Sequence, residues 1–352
     1  MRILTALPFL FGLLLALGGA PEVARAAESL AADAPIPAEV PRGTRLVIGD
    51  PIGQKALILS GQIDKLPFAV DWANISGGPL TIEAFRAGAL DIGSVADIPP
   101  IHATWTGVPV KIVATSFRQD PIAHPLYQLG IAPGVKVTTL ADLKGKKIAF
   151  SPGQAQGILV LRALEKAGLS QQDVELVEMP SPVAGTYGTA LGSKLVDVAP
   201  IGGAPAKHYI ESYGRDGATL LAHGLRDDPG YLYVPAADLA DPAKAAAIRA
   251  YVGFWGRARA WIDAHPQEWA QGYYVEDQGL SAEDAKYVVD SLGKSDIPGD
   301  WTAAIERQQA TIALLAKATS QKVLNAADLF DRRFEHVAAE AFAAEALSAK
   351  AE

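Results

Sequence analysis

The stretch SGGPLTIEAFRAGALDIGSVADIPP, from Ser76 to Pro100, combines a glycine loop, a short helix, a strand and a second helix start. Gly77 and Gly78 permit backbone angles that other residues avoid. Pro79 suits the first turn of a helix, because its missing N–H would have no partner there. The first N–H groups of such a helix have no acceptor within the helix, so we expect them to point outward.

The second half of the stretch predicts a strand followed by another helix start. Gly88 is placed to end the first helix, and Asp91 to Val95 has the apolar character of a short strand. Asp97 is a typical N-cap residue, and the two prolines after it suit a first helical turn. Two helix N-termini therefore open at the ends of neighbouring strands, which makes a site for an anion or a polar ligand from backbone groups.

Strands and short helices alternate on both sides of this stretch. Strands are predicted over residues 45–49, 68–73 and 110–116, and a helix over 55–60 follows the loop that contains Gln54. Further along the chain, the same alternation predicts strands over 146–150, 174–179 and 196–201, and long helices over 242–264, 281–292 and 302–318. Alternation through short loops is typical of parallel βαβ units, so the sequence predicts an α/β protein with doubly wound sheets.

A short internal repeat indicates two lobes. Asp91–Pro99 aligns without gaps with Asp197–Pro205, and both have an aspartate, an apolar strand and a proline that opens a helix. Two irregular segments, near residues 121–125 and 223–230, lie before and after the second copy of the repeat. They suit the two places where the chain crosses from one lobe to the other. We therefore expect lobe I over residues 44–122 and 228–345, lobe II over 123–227, and a two-segment hinge that lets the lobes close on a ligand.

The N-terminus resembles an export signal. Arg2 supplies the positive charge, Ile3 to Leu17 an apolar run, and Ala24 to Ala26 a cleavage pattern of small residues. A retained membrane anchor is the alternative, but a spanning helix needs about 20 apolar residues, more than this run supplies. We expect a cleavable signal peptide over residues 1–26, a flexible arm over 27–43, and a mature protein in the periplasm.

The composition excludes several classes of function. The formal net charge of −8 and a pI near 5.3 argue against a nucleic-acid partner, for which a basic face is expected. The chain has no cysteine, so thiol chemistry and disulfides are excluded. The six histidines have no metal-ligand spacing, and there is no nucleophile elbow or phosphate loop. We therefore expect no metal, no cofactor and no enzymatic activity.

Three motifs resemble a family of transport proteins. They are Ala87–Pro100, Leu140–Ala149 and Leu161–Leu169, and they are similar to the aliphatic sulfonate, taurine and nitrate group of ABC-transporter substrate-binding proteins. The resemblance extends from about Arg45 to Ala270 and is greatest to the aliphatic-sulfonate branch. The first motif is fairly specific to this group, whereas the second occurs in many type II periplasmic binding proteins.

The resemblance implies a type II periplasmic binding protein, in which two α/β lobes bind the ligand in their cleft. It implies a monomer that captures a small organic anion, an aliphatic or aryl sulfonate, and delivers it to an ABC permease in the inner membrane. Nitrate or taurine uptake, an enzyme of pyrimidine or sulfur metabolism on the same fold, and a ligand-sensing partner of a receptor are the alternatives. One enzyme on this fold, a sulfinate desulfinase, uses a cysteine that this chain lacks.

The resemblance also implies where the ligand binds. The corresponding loops hold Gln54, Ser76, Gly77, Gly78 and Asp97 in lobe I, and Ser151, Gln154, Gln156, Gly203 and Ala204 in lobe II. The family often has Trp-Asp-Pro where this chain has Gly203-Ala204-Pro205, a difference that enlarges or reshapes the pocket. We expect the lobe I loops to bind the charged head group and the Gly203-Ala204 loop to determine which ligand is chosen.

The residues themselves leave a structural alternative for each candidate. The glycines of the first loop also suit a simple turn, and Asp97 most commonly acts as a helix cap in such a position. Gln154 and Gln156 are good oxyanion donors beside glycines, but solvated loop amides have the same sequence. Arg118, the strongly cationic side chain directly after a lobe I strand, either pairs with a bound anion or meets Asp120 at the surface.

Overall fold

A computed structural model describes residues 29–75, 77–180 and 185–349. The expected signal peptide over residues 1–26 and the candidate ligand residue Ser76 lie outside these ranges. Among the described residues, no helix is both long enough and apolar enough to cross a membrane.

The strands follow the predicted alternation with small shifts at their ends. In chain order they are β1 (Arg45–Gly49), β2 (Ala69–Trp72), β3 (Ile92–Val95), β4 (Val110–Arg118), β5 (Gln128–Ile131), β6 (Lys147–Phe150), β7 (Glu175–Glu178), β8 (Val198–Ile201), β9 (Thr219–Leu221), β10 (Gly230–Pro235) and β11 (Ser295–Asp296). The seven strand predictions, including the one over Asp91 to Val95, are confirmed.

The helices connect and cover these strands. They are α1 (Pro51–Leu59), α2 (Gly78–Arg86), α3 (Ile98–Trp105), α4 (Ala155–Lys166), α5 (Thr186–Gly192), α6 (Gly203–Tyr213), α7 (Pro242–Ala264), α8 (Pro266–Trp269), α9 (Ala282–Leu292), α10 (Thr302–Thr319) and α11 (Val337–Ser348). A π-helical segment, Ala270–Asp277, continues directly from α8. The three long helices predicted after residue 240 are confirmed as α7, α9 and α10.

Two mixed sheets form the centre of the fold. The first has the order β11-β4-β10-β3-β1-β2, and the second has the order β7-β6-β8-β5-β9. In the first sheet β1 runs parallel to β2 and β3, while β10 lies antiparallel between β3 and β4. In the second sheet β6 runs parallel to β7 and β8, while β5 lies antiparallel between β8 and β9.

The two sheets therefore share one strand order. The order β2-β1-β3-β10-β4 of the first sheet corresponds to the order β7-β6-β8-β5-β9 of the second, and the first sheet has β11 as an additional edge strand. In each sheet the antiparallel strand, β10 or β5, is the first strand after the chain passes from the other sheet. The predicted α/β class with two wound sheets is confirmed. The antiparallel strands were not predicted, because the direction of a strand depends on the side from which the chain arrives and leaves no mark on its own residues.

The repeated aspartates have the same role in both sheets. Asp91 precedes β3, and its carboxylate accepts a hydrogen bond at 2.6 Å from the backbone N–H of Val47 in β1. Asp197 precedes β8, and its carboxylate accepts one at 2.8 Å from the N–H of Lys147 in β6. Each aspartate thus ties the third strand of a sheet to the first, so the repeat reflects a shared way of aligning the sheet.

The first helix differs from its prediction. The loop expected before residue 55 is helical, because Asp50 accepts a hydrogen bond from the N–H of Gly53 at 3.0 Å and caps α1. The other carboxylate oxygen of Asp50 accepts one from the phenol of Tyr251 at 2.9 Å. This buried cap allows the helix to begin at Pro51, and it places Gln54 inside the helix instead of in a loop.

The described part of the expected flexible arm packs against the fold. Leu30 and Val40 contact the core of the first sheet, and the N–H of Leu30 donates to the carbonyl of Ala240 at 2.8 Å. The guanidinium of Arg333 donates to the carbonyls of Ala31 and Ala34. The sequence did not predict these contacts, because their partners lie about 200 to 300 residues along the chain.

The aspartate before β3 provides a test of the repeat. We expect Asp91→Ala to lower the free energy of unfolding by about 1–3 kcal/mol, since it leaves a partly buried N–H without its acceptor and removes a partner of Lys244. Urea unfolding followed by circular dichroism measures this. The control is Asp71→Ala, which removes an exposed ion pair with Arg45 and is expected to cost less than about 1 kcal/mol. Equal losses in the two variants would contradict this role of Asp91.

Candidate functional site

Two helix starts, one from each sheet, face each other across a small cavity. The cavity has a volume of about 180 Å³ and is lined by Gly77 and Gly78 at the start of α2 and by Gly153, Gln154 and Gln156 at the start of α4. Val95, Ala96, Pro99 and Ala155 complete its walls. The structure thus brings together four of the residues that the sequence proposed for a ligand site. Contact with a ligand stays a prediction for each of them.

Gly77 and Gly78 are each required to be glycine, for different structural reasons. Gly77 has φ +80° and ψ 150°, a region that side chains with a Cβ rarely adopt. A Cβ on Gly78 would lie 2.6 Å from Cγ of Pro99, so only glycine lets the starts of α2 and α3 approach this closely. The two adjacent glycines therefore follow from the packing of these two helices.

The helix starts around this cavity have no side-chain caps. The N-cap residues of α2, α3 and α4 are Gly77, Asp97 and Gln154, and in the described structure none of them makes a side-chain cap hydrogen bond. In contrast, Asp241 and Ser281 cap α7 and α9 in the usual way. The first-turn N–H groups at the cavity are therefore available as donors, and the positive ends of the helix dipoles favour an anion there.

A larger cavity adjoins the small one. It has a volume of about 430 Å³ and shares Val95 and Ala96 with its neighbour. Its polar and aromatic walls come from the end of β4, from α7, from α8 and the π-helical segment, and from the loops before β10 and β11. They include Arg118, Asp228, Arg259, Asp263, Trp269, Tyr274 and Lys294. Ile52 of α1 and Ile262 of α7 supply apolar surface. The two cavities together form the candidate site at one edge of the first sheet.

Arg118 ends β4 and lines the larger cavity. Its guanidinium donates to the carbonyl of His124, while the carboxylate of Asp120 accepts from a backbone N–H. The surface pair with Asp120 that the sequence allowed is not formed. Burial lowers the pKa of Arg118, and the nearby carboxylates of Asp227 and Asp228 oppose this effect. A cation thus lies at the cavity wall.

Asp97 has a different role from the predicted helix cap. Its buried carboxylate accepts hydrogen bonds from the guanidinium of Arg162 at 2.8 Å and from the hydroxyl of Thr311 at 3.1 Å. Its carbonyl accepts one from the side chain of Gln308. Asp97 occupies the predicted N-cap position of α3, but its side chain makes no cap hydrogen bond, because Arg162 of α4 and Thr311 of α10 engage the carboxylate. Asp97 thereby connects helices associated with the two sheets.

The remaining candidates lie away from the two cavities. Gln54 is in the second turn of α1, where Ile52 is the residue that lines the larger cavity. Ser151 is buried, and its hydroxyl partly offsets the burial that raises the pKa of Tyr187. Gly203 has φ +59° and lies near Val288 of α9, and Ala204 is buried. In the described structure none of the four lines either cavity, so their contact with a ligand is not supported by this geometry.

The sequence missed the wall formed by Arg259, Trp269 and Tyr274. Arg259 and Trp269 occur among helical residues far from the glycine stretch, and aromatic residues in such helices usually pack in the core. No local pattern distinguishes an arginine that faces a cavity from one that faces solvent. Among the described residues, no cluster of three or more histidine, aspartate or glutamate side chains is placed to hold a metal ion.

The close approach of α2 and α3 can be tested at Gly78. We expect Gly78→Ala to destabilise the protein by about 1–3 kcal/mol, because the added methyl group overlaps the ring of Pro99. The control is Gly253→Ala in α7, where no atom lies within 4 Å of the added Cβ and the change is expected to be neutral or stabilising. Urea unfolding measures both. If Gly78→Ala is as stable as Gly253→Ala, the steric argument is incorrect.

The ion pair of Asp97 provides another test. Arg162→Met leaves a carboxylate that is 3% exposed without its cation, and we expect a loss of about 3–5 kcal/mol in the free energy of unfolding. Adding Asp97→Asn to this variant should restore much of the loss, since the uncompensated charge is then removed. The control Lys286→Met breaks an exposed pair with Asp290 and should change stability by less than about 1 kcal/mol. A similar effect of Arg162→Met and the control would rule out a structural role for the buried pair.

Comparisons with known proteins agree on the fold. The alkanesulfonate-binding protein SsuA of Xanthomonas axonopodis pv. citri, solved with MOPS bound, has a TM-score of 0.65 at 23% identity and covers 83% of this chain and 99% of its own. The periplasmic aliphatic sulphonate binding protein SsuA of Escherichia coli has a TM-score of 0.66 at 22% identity, over 82% and 92% of the two chains. The desulfurization enzyme DszB has a TM-score of 0.57 at 15% identity, over 84% and 99%. The chain thus has the periplasmic binding protein fold.

A relative in sequence matches part of the chain. A protein of Escherichia coli (strain K12), whose name provisionally describes an aliphatic sulfonates-binding protein, is 36% identical over 106 residues. The match covers 30% of this chain and 32% of that relative, so it spans about a third of each protein. The model of the family described as NMT1/THI5 like matches residues 69–268, more than half of the chain. The protein therefore belongs to the NMT1/THI5-like family.

Proposed function

We propose that this protein is the substrate-binding component of an ABC importer and that it captures a small organic anion of the sulfonate class. The observation that carries the proposal is the small cavity between the uncapped starts of α2 and α4. A sulfonate group has three acceptor oxygens and one negative charge, and both match a set of backbone N–H donors at positive helix ends. The two SsuA proteins, which have the same fold, are named as sulfonate-binding proteins.

The proposed mechanism is closure of two lobes on the ligand. We assign residues 44–122 and 228–345 to lobe I and 123–227 to lobe II, as the sequence predicts. The α4 donors then come from lobe II and the α2 donors from lobe I, so a ligand between them stabilises the closed state over the open one. Asp97 and Arg162 form an ion pair between the lobes, which adds to the closed state.

A second ion-pair cluster supports this assignment. Asp284 of α9 accepts from Lys207 at 3.0 Å and from His208 at 2.9 Å, and both partners are in α6. Their hydrogen bonds, with that of Ser281, hold the pKa of Asp284 well below its usual range. The closed state thus has polar contacts on both sides of the cleft, and a permease that recognises closure distinguishes loaded from empty protein.

The proposal also includes the location and the oligomeric state of the protein. We propose that residues 1–26 are a cleavable signal peptide, and that the mature protein is a periplasmic monomer that delivers its ligand to an inner-membrane permease.

An enzyme on this fold is the alternative class, because DszB shares the fold. The absence of cysteine from the chain removes the thiol route that the sequence considered for such an enzyme. N-terminal sequencing of protein from a periplasmic extract separates the two, since a chain that starts near Ala27 supports the binding protein.

Calorimetric titration tests the ligand class. We expect methanesulfonate or benzenesulfonate to bind with a dissociation constant in the micromolar range, and Gln154→Ala to weaken binding by about 1–3 kcal/mol because a donor at the small cavity is lost. The control Gln321→Ala removes an exposed amide far along the chain and should leave the affinity unchanged. An absence of heat with all sulfonates, sulfate esters, nitrate and taurine would refute the proposed ligand class. Equal affinity of the two variants would remove Gln154 from the site.

A further inference from the structure

One arginine of the larger cavity, Arg259, has no hydrogen-bond acceptor for its Nε among the described residues. Arg259 lies on α7 and lines this cavity. Among the described residues, its guanidinium has no hydrogen-bond or ion-pair partner, and its Nε is buried. Its guanidinium lies over the ring of Trp255, at 4.9 Å from the ring centroid. The Nε of Arg259 is buried without an acceptor, and a ligand group with acceptor oxygens in the cavity would supply one.

The two carboxylates that line the larger cavity, those of Asp263 and Asp228, already accept hydrogen bonds from other residues. Asp263 accepts from the N–H and the hydroxyl of Ser295 at 2.8 and 3.0 Å, and burial raises its pKa. Asp228 accepts two hydrogen bonds from Arg226 and one from the N–H of Arg118. Neither carboxylate forms a hydrogen bond or an ion pair with Arg259, but the charge of Arg259 opposes the rise in the pKa of Asp263. The cavity therefore has three cationic side chains, Arg118, Arg259 and Lys294, of which Arg118 and Lys294 already donate to backbone carbonyls.

The rest of the cavity is suited to an aromatic group. Trp269 and Tyr274 form one wall, and Ile52 and Ile262 add apolar surface. Trp269 is held in place by a stacked contact with Tyr273, with ring centroids 4.4 Å apart. These tyrosines lie on the π-helical segment Ala270–Asp277, a backbone form that occurs often at functional sites. A flat ring between such walls gains the apolar and edge-to-face contacts that aromatic pairs prefer.

The two cavities also differ in size and in the kind of donor that they offer. The small one, about 180 Å³, offers helix N–H groups and amides, and the large one, about 430 Å³, offers arginines and aromatic rings. Val95 and Ala96 line both cavities. A short alkanesulfonate in the small cavity leaves the larger one and its unpaired cation without a ligand group.

We propose that the ligand is an aromatic sulfonate with a second acidic group, and that Arg259, assisted by Arg118, recognises this second group in the larger cavity. This inference rests on the proposed function, since it assumes that the sulfonate itself occupies the small cavity. It names Arg259 as the residue that selects doubly charged aromatic ligands over singly charged ones. Arginine suits this role, because its planar donors match a carboxylate or a second sulfonate in a bidentate geometry.

Calorimetry with two matched probes tests the inference. Benzenesulfonate carries one negative charge and 4-sulfobenzoate carries two, on the same ring. We expect the intact protein to bind 4-sulfobenzoate at least about tenfold more tightly, as charge-assisted hydrogen bonds to Arg259 add to those at the sulfonate. In Arg259→Gln, the ratio of the two dissociation constants should fall to near one. Circular dichroism confirms that the variant is folded.

The control is Arg249→Gln, which removes the same charge from the same helix at a residue outside both cavities. It should keep the preference for 4-sulfobenzoate. Equal affinities of the intact protein for the two probes would overturn the inference while leaving the sulfonate proposal in place. So would a preference that persists in Arg259→Gln. Binding of neither probe, nor of any other sulfonate, would overturn both.

Discussion

The buried ion pair between Asp97 and Arg162 is the contact on which the arrangement of this site depends. Asp97 lies at the start of α3, beside the cavity, and Arg162 lies on α4, whose start forms the opposite wall. The pair connects these two helices beside the small cavity. The pair also neutralises the carboxylate of Asp97, which would otherwise cap α3 and repel an anion. It likewise neutralises the guanidinium of Arg162, which would otherwise compete for the ligand.

The consequence is a site with two kinds of positive surface. At the small cavity the positive potential comes from backbone N–H groups at helix starts, which carry partial charges and have fixed directions. At the larger cavity it comes from Arg118, Arg259 and Lys294, which carry full charges on longer side chains and lie beside the carboxylates of Asp228 and Asp263. The first kind suits a compact oxyanion common to many ligands, and the second suits a group that varies among them. Selectivity is therefore expected to reside in the larger cavity, and less in the Gly203-Ala204 loop, which packs near α9.

The shared strand order of the two sheets explains why the helix starts meet. In each sheet the parallel strands end at the same edge, and the helices that follow them begin there. Asp91 and Asp197 tie equivalent strands in the same way, so each sheet presents its edge with the same alignment. Two such edges facing each other give opposed sets of donors, which a ligand between them can satisfy together.

The sequence by itself determined the α/β class, the positions of the main strands and long helices, and the glycine-rich helix start at Gly77 and Gly78. These features depend on local periodicity, on proline and on glycine, which act within a few residues. It also indicated Gln154 and Gln156, because amides beside glycines at a helix start form a local pattern. Only the tertiary structure decided that Asp97 pairs with Arg162, that Gln54 lies within a helix, and that Arg259 and Trp269 face a cavity. Those outcomes depend on partners that lie tens to hundreds of residues away in the chain. The residues next to a side chain in sequence therefore do not indicate which partner it contacts.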